Sequence, residues 1–213
     1  MRLPISLSLA SLELAVLAGC AVPMSAKTMT ENERYLKEAQ TLAQEFQEQL
    51  EPERLRDAGM TLANVVLADE HDLKTRTQLR AKSLRLWLHL LDLLDRSLDP
   101  NFDPSDVPEK LVQPPPSPDG EVLRPGADPA RIADPQARGE YEKAIAANRA
   151  KNKNYRIQLQ LQRLNQQLTP QAETFIRNSY SSAIGDQKEL SAAIDEVVKH
   201  PARKTQLAKL LKP

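Results

Sequence analysis

The chain has 213 residues, with 29 basic and 29 acidic side chains, so its formal net charge is zero. Proteins that bind nucleic acids usually carry a basic excess, and this balance therefore argues against that class. Aromatic residues make up only 4% of the chain and there are only 6 glycines, which argues against a β-sandwich or a β-barrel. Leu, Ala, Gln, Glu, Lys and Arg dominate, and because these residues favour helices the composition predicts an all-α protein.

The N-terminal residues have the plan of a secretory signal peptide. A short positive region at residues 1–2 is followed by a mostly apolar run, 3–18. This region ends at Leu17-Ala18-Gly19-Cys20, and its cysteine is the only one in the chain. The run is too short and too interrupted to span a bilayer, which takes about 20 apolar residues in a helix. The alternative interpretations are an ordinary signal peptide, or a short apolar helix, with an incidental cysteine.

The run Leu17-Ala18-Gly19-Cys20 resembles the lipobox of bacterial lipoproteins, which reads Leu, a small residue, Gly or Ala, and Cys. The resemblance implies that residues 1–19 are a lipoprotein signal peptide, cleaved between Gly19 and Cys20. It also implies that acyl chains such as palmitate are attached at Cys20. Bacterial lipoproteins carry two or three such chains, which hold a protein stably where a single chain holds it only marginally.

The same resemblance implies a location in the cell envelope, with the chain bound to a membrane through the lipid at Cys20. Residues 20–29 are then a tether. Ala21, and not Asp, follows the cysteine. By the sorting rule known for Gram-negative lipoproteins, this favours the outer membrane.

Residues 30–98 have the apolar spacing of three helices and form a predicted N-terminal helical part. Thr30-Glu31-Asn32-Glu33 matches a capping box that starts a helix over about 31–50. Pro52 can open a second helix at its first position. The third predicted helix, about 73–98, holds the most apolar segment, so we expect it at the centre of the core of this N-terminal part.

Proline is concentrated in the middle of the chain, where ten of the sixteen prolines lie between Pro100 and Pro135. Proline lacks a backbone N–H and blocks helix formation, so residues 99–133 are predicted to be irregular or polyproline II. A connection of this length is unusual inside a compact domain. Two alternatives stay open: a linker between two helical parts, or a strap across the surface.

Residues 134–213 form a predicted C-terminal helical part. Asp134-Pro135 is a helix start with Asp as N-cap and Pro at the first position, and the apolar spacing continues to about Leu168. By the same logic, Thr169-Pro170 predicts the start of a new helix, which we expect to end at Gly185. Two further helices follow. The whole chain is thus predicted to be an all-α bundle of about six to seven helices in two parts.

The charges are unevenly distributed along the chain. Residues 20–130 carry 13 basic and 20 acidic side chains, a net charge of −7, and residues 131–213 carry 15 basic and 8 acidic, a net charge of +7. One interpretation is chance variation on solvated helix faces. The other is electrostatic complementarity, either between the two halves or between two copies of the chain in a homo-oligomer.

One stripe of the third helix is a candidate for chemistry. At 100° per residue, Arg85, His89, Asp92 and Arg96 fall on one narrow polar face. His89 and Asp92 could form an acid–base pair, so an enzyme with a cryptic site near His89 and Asp92 is one hypothesis. The alternative is a structural stripe stabilised by hydrogen bonds.

Other motifs give no site. The histidines at positions 71, 89 and 200 lie on different predicted elements, and none has the i, i+4 partner of a metal site. Asp69-Glu70-His71-Asp72 could hold a divalent cation, but it lacks EF-hand spacing and a glycine turn, so we expect a solvated junction. We find no phosphate loop, dinucleotide fingerprint or nucleophile elbow. We therefore assign no catalytic, cofactor-binding or metal-binding residue, and no cofactor.

A second resemblance concerns Leu168-Thr169-Pro170-Gln171, which is similar to the start of the Leu-Thr-x-x-Gln motif of small helical periplasmic stress chaperones. The fifth place here is Ala172 and not Gln. The main prediction is a membrane-anchored envelope lipoprotein that acts as a non-catalytic binding or scaffold protein, with an envelope protein as partner. The alternatives are a periplasmic chaperone-like helical module and the enzyme described above.

Overall fold

The computed structural model describes residues 29–116 and 122–210, which form six α-helices and no β-strand. The helices are α1 (Glu31–Gln49), α2 (Pro52–Ala63), α3 (Leu73–Ser97), α4 (Pro135–Ser179), α5 (Ile184–Val197) and α6 (Pro201–Ala208). Short 3-10 turns cover Leu67–Asp69 and Pro129–Arg131. The prediction of an all-α helical bundle is confirmed. Among the helices of this described part, none combines the length and the apolarity needed to span a bilayer.

Local sequence signals set most helix starts. Thr30 and Glu33 form the predicted capping box: Thr30 Oγ1 accepts from the Glu33 N–H at 3.2 Å, and Glu33 Oε2 accepts from the Thr30 N–H at 3.0 Å. Pro52, Pro135 and Pro201 occupy the first positions of α2, α4 and α6. A proline costs little there, because the first N–H groups of a helix have no partner within the helix.

The predicted break at Thr169-Pro170 is wrong, because α4 runs unbroken through Pro170. Thr169 caps no helix here, and its Oγ1 donates to Asn165 Oδ1 one turn earlier, at 3.0 Å. Buried side chains continue at helical spacing on both sides of the proline: Leu161, Leu164, Leu168, Ala172 and Ile176. An interior proline costs a helix roughly 3 kcal/mol, and burial of this continuous face offsets that cost.

Two other expectations change with the length of α4. Gly185 does not end a helix, since it lies in the first turn of α5. The four residues that resemble a chaperone motif, Leu168-Thr169-Pro170-Gln171, lie inside α4 and do not start a helix.

Helices from both predicted parts pack into one hydrophobic core. α3 contacts α1, α2, α4 and α5, so it lies at the centre of this shared core and not of a separate N-terminal core. Six leucines of α3 are fully buried: Leu79, Leu84, Leu88, Leu90, Leu91 and Leu94. Residues 30–98 and the described residues of 134–213 therefore contribute to the same core.

The proline-rich segment lies along the N-terminal half of α4 over its described residues, 99–116 and 122–133. Tyr155 on α4 donates its O–H to the Pro104 carbonyl at 2.7 Å. A second, smaller apolar cluster joins the segment to the helix and contains Leu123, Ile132 and Tyr141. These contacts hold the described part of the segment against α4.

Candidate binding groove between α1 and α3

A groove of about 1010 Å³ lies between α1 and α3, and we call it the polar groove. Polar side chains recur at helical spacing along α1, on the wall of the groove that faces α3. These are Glu33, Lys37, Gln40, Gln44, Gln47 and Glu48. The opposite wall comes from α3 and carries Lys82, Arg85, Leu86 and His89. The groove therefore offers amides and charges of both signs within one concave surface.

Arg85 and His89 are the two residues of the predicted polar stripe that line this groove. Arg85 Nη2 donates to Glu196 Oε2 at 3.1 Å and so links α3 to α5. Both side chains of this pair are exposed, so the pair adds only about 0–1 kcal/mol to stability. His89 Nε2 lies 3.2 Å from Gln47 Nε2 on the opposite wall. The amide can donate to this ring nitrogen when the nitrogen is unprotonated.

The contacts of Asp92 differ from those expected of an acid–base partner of His89. Its side chain is buried, with the residue 3% exposed. Asp92 Oδ1 accepts from the Lys199 N–H at 2.7 Å, and Arg96 Nε lies 2.9 Å from Asp92 Oδ2. Asp92 thus satisfies a backbone donor at the junction of α5 and α6, and Arg96 supplies the opposite charge. These contacts match the structural interpretation of the stripe.

The environment of His89 makes a pH dependence testable. Burial, together with the Arg96 guanidinium, lowers the pKa of His89 below its ordinary value of 6.5, while Asp92 acts in the opposite direction. As the pH falls through this value, the unfolded chain therefore binds more protons at this position than the folded chain, and stability falls. We expect His89→Gln to reduce the loss of unfolding free energy between about pH 7 and about pH 5.

Urea denaturation of the parent and the variant across this pH range measures the effect. An identical pH dependence for both proteins would contradict the proposed environment of His89.

The remaining residues that the sequence singled out form no further site within the part of the chain that the structure describes. Gly19 and Cys20 lie outside the described residues, so cleavage and lipidation at this position stay predictions. Asp72 of the acidic stretch 69–72 caps α3 by accepting from the Thr75 N–H at 2.7 Å. Across residues 29–116 and 122–210 there is no group of three or more His, Cys, Asp or Glu side chains that could hold a metal ion.

Sequence reasoning missed a buried polar cluster around Arg203. Arg203 lies on α6 and is 6% exposed. Its Nε and Nη2 donate to the two carboxylate oxygens of Asp95 on α3, at 3.0 and 2.8 Å. Its Nη2 also donates to Asn165 on α4 at 2.6 Å, and its Nη1 to Thr169 at 2.9 Å. No local motif could have revealed this cluster, because Asp95 is 108 positions away in sequence.

In the ion pairs between the two halves, the basic residue does not always come from the same half. Arg203 and Asp95 join a basic residue of the second half to an acidic residue of the first. The pair of Arg85 and Glu196, described above, has the opposite arrangement. The net charges of the halves therefore do not determine how the helices pair.

A second groove, of about 870 Å³, lies where the end of α2, the first half of α3 and the end of α4 meet, and we call it the apolar groove. Much of its wall is apolar and includes Leu62, Val65, Val66, Leu67, Leu73, Trp87 and Phe175. Arg76 and Arg80 are its charged residues. Helical periodicity in the sequence does not indicate this cavity, because the ends of two helices and the side of a third must pack together to form it.

Comparison of the chain with protein-family models, with curated proteins and with solved structures found no match. The residues and geometry of the chain itself are therefore the basis of the functional proposal.

Proposed function

We propose that this chain is a lipid-anchored protein of the bacterial cell envelope that works by binding another envelope component, without catalysis. The observation that carries the proposal is Leu17-Ala18-Gly19-Cys20 at the end of an apolar N-terminal run. Acyl chains on Cys20 would hold the protein at a membrane surface, the outer membrane in a Gram-negative cell. A tether over residues 20–29 would reach at most about 33–36 Å, at 3.3–3.6 Å per residue.

The polar groove supports binding as the mode of action. Its volume is at the upper end of the range of small-molecule sites, roughly 300–1,000 Å³. Gln40 and Gln44 supply donors and acceptors for a partner, and Lys37 and Lys82 supply positive charge. The hydrogen bond from the Lys199 N–H and the ion pair with Arg96 occupy the Asp92 carboxylate, which argues against its use as a catalytic partner of His89.

Substitution of the cysteine tests the anchor. We expect Cys20→Ala to abolish labelling by radioactive palmitate and to release the protein from membranes, because no other cysteine is present to carry the lipid. The matched variant Ser25→Ala changes the tether but keeps the cysteine, so it should stay labelled and membrane-bound. Retained labelling or membrane association of Cys20→Ala would contradict the proposal.

A separate experiment tests binding at the polar groove. It places a photo-crosslinking side chain at Gln44 in intact cells. This position lines the polar groove, so we expect it to form a discrete adduct with another envelope component. The same side chain at Glu142, exposed on α4, is the control. Equal adducts at both positions, or none at Gln44, would contradict binding at the groove.

A further inference from the structure

We propose that the apolar groove binds a free long-chain fatty acid, with the acyl chain along the apolar wall and the carboxylate at Arg76. The proposal rests on the proposed function only for the source of the ligand, which is the membrane at which the chain would be anchored. The residues that line the groove define the ligand site, independently of the anchor.

The shape and lining of the groove suit an acyl chain. Arg76 and Trp87 both line it and are eleven residues apart on α3, a distance of about 16 Å along the helix axis. Phe175 of α4 and Val65 after α2 form further parts of the apolar wall. At its rim, Leu73 is 72% exposed. An acyl chain in the groove would remove this apolar surface from water, which is favourable.

The charge at one end of the groove suits a carboxylate. Arg76 donates to the backbone carbonyl of Glu70, a group without formal charge, through Nε at 2.8 Å and also through Nη2. Among residues 29–116 and 122–210, no Asp or Glu side chain lines the groove, and none forms an ion pair with Arg76. An arginine that has no carboxylate partner in the protein forms strong, charge-assisted hydrogen bonds with a ligand carboxylate.

Arg80 cannot supply this positive charge, although it lies one helical turn further along the groove. Its guanidinium pairs with Asp186 at 3.1 Å and with Glu189 at 2.7 Å. It also lies over the ring of Tyr180, 4.4 Å from the ring centroid. Arg76 is therefore the residue that would discriminate a fatty acid from a neutral alcohol of the same length.

The groove lies close to the start of α1, the helix that follows the proposed tether in sequence. Asn32, in the first turn of α1, donates through Nδ2 to the Val66 carbonyl at 3.0 Å and accepts from the Val66 N–H through Oδ1 at 2.9 Å. Val66 is part of the groove wall. An anchor at Cys20 would thus hold the groove within about one tether length, about 33–36 Å, of the membrane.

Trp87 provides a direct test, since it is the only tryptophan of the chain and lines the groove. The test adds stearate brominated at carbons 9 and 10 to the full-length, non-acylated Cys20→Ala protein and follows tryptophan fluorescence. We expect saturable quenching at one fatty acid per protein. Oleate should displace the brominated probe, and oleyl alcohol should do so about tenfold less well because it lacks the charge that pairs with Arg76.

Two pairs of variants test the contact with the fatty acid carboxylate and the contact with its acyl chain separately. We expect Arg76→Gln to weaken oleate binding about tenfold and to remove its advantage over oleyl alcohol. Arg149→Gln, on an exposed part of α4, should have no effect. Ala63→Phe narrows the groove and should abolish quenching, whereas Ala144→Phe on exposed α4 should not, with unchanged circular dichroism for both.

Three results would overturn the proposal: no saturable quenching, equal affinity for oleate and oleyl alcohol, or an Arg76→Gln variant that binds like the parent. If acylated protein resists quenching while Cys20→Ala is quenched, the acyl chains of the protein itself fill the groove, and a free fatty acid ligand is excluded. Because the assay uses non-acylated protein, its failure would leave the palmitate-labelling result of the proposed function unaffected.

Discussion

Replacing Arg203 with methionine is expected to lower the free energy of unfolding by about 3–5 kcal/mol, because Asp95 would become a buried carboxylate without its cation. The side chain of Asp95 is only 10% exposed. Two parallel hydrogen bonds, at 3.0 and 2.8 Å, join the guanidinium to both of its oxygens. The same guanidinium holds Asn165 and Thr169 of α4, so the substitution also removes a link between three helices.

The neighbouring residue on α6 gives a matched control. Lys204 forms an ion pair with the exposed Asp195 at 3.3 Å, so Lys204→Met is expected to cost about 0–1 kcal/mol. The double variant Arg203→Met, Asp95→Leu should recover much of the loss, because it leaves no unpaired buried charge. Urea denaturation of all three variants measures these differences. Equal losses for Arg203→Met and Lys204→Met would contradict the role of the buried cluster.

The second large effect is expected from Leu91→Ala, which should lower the free energy of unfolding by about 2–5 kcal/mol. Leu91 is 0% exposed, and it lies on the helix that contacts α1, α2, α4 and α5. Truncation would leave a cavity that helices on several sides prevent from collapsing, and the cost of such cavities rises with their residual volume.

A leucine on the same helix controls for local helix propensity. Leu73 is 72% exposed, so Leu73→Ala is expected to change stability by no more than about 0.5 kcal/mol. Chemical denaturation of the two variants under identical conditions compares them directly. Similar changes for both would mean that α3 is not the central helix of the core.

The fold was predictable where local chemistry decides it. The capping box at Thr30 and the prolines at the starts of α2, α4 and α6 identify helix starts without tertiary information. Thr169-Pro170 has the same local pattern, yet the helix continues through it. There the apolar face of α4 is buried on both sides of Pro170. The stabilisation from this tertiary packing outweighs the local preference for a helix break.

The candidate sites were less predictable than the helices. The polar stripe of α3 was visible in the sequence, and Arg85 and His89 do line the polar groove. The role of Asp92 was not visible, because its backbone partner Lys199 is 107 positions away. Helical periodicity specifies which face of a helix a residue occupies but not which other helix packs against it. The apolar groove depends on such packing, and so does the cluster around Arg203.

The central claim is the lipid at Cys20, and an intact mass measurement of the protein purified from its native membranes tests it most directly. The proposal predicts a polypeptide that starts at Cys20 and carries the added mass of two or three acyl chains. A polypeptide that starts at Met1, with an unmodified cysteine thiol, would contradict it.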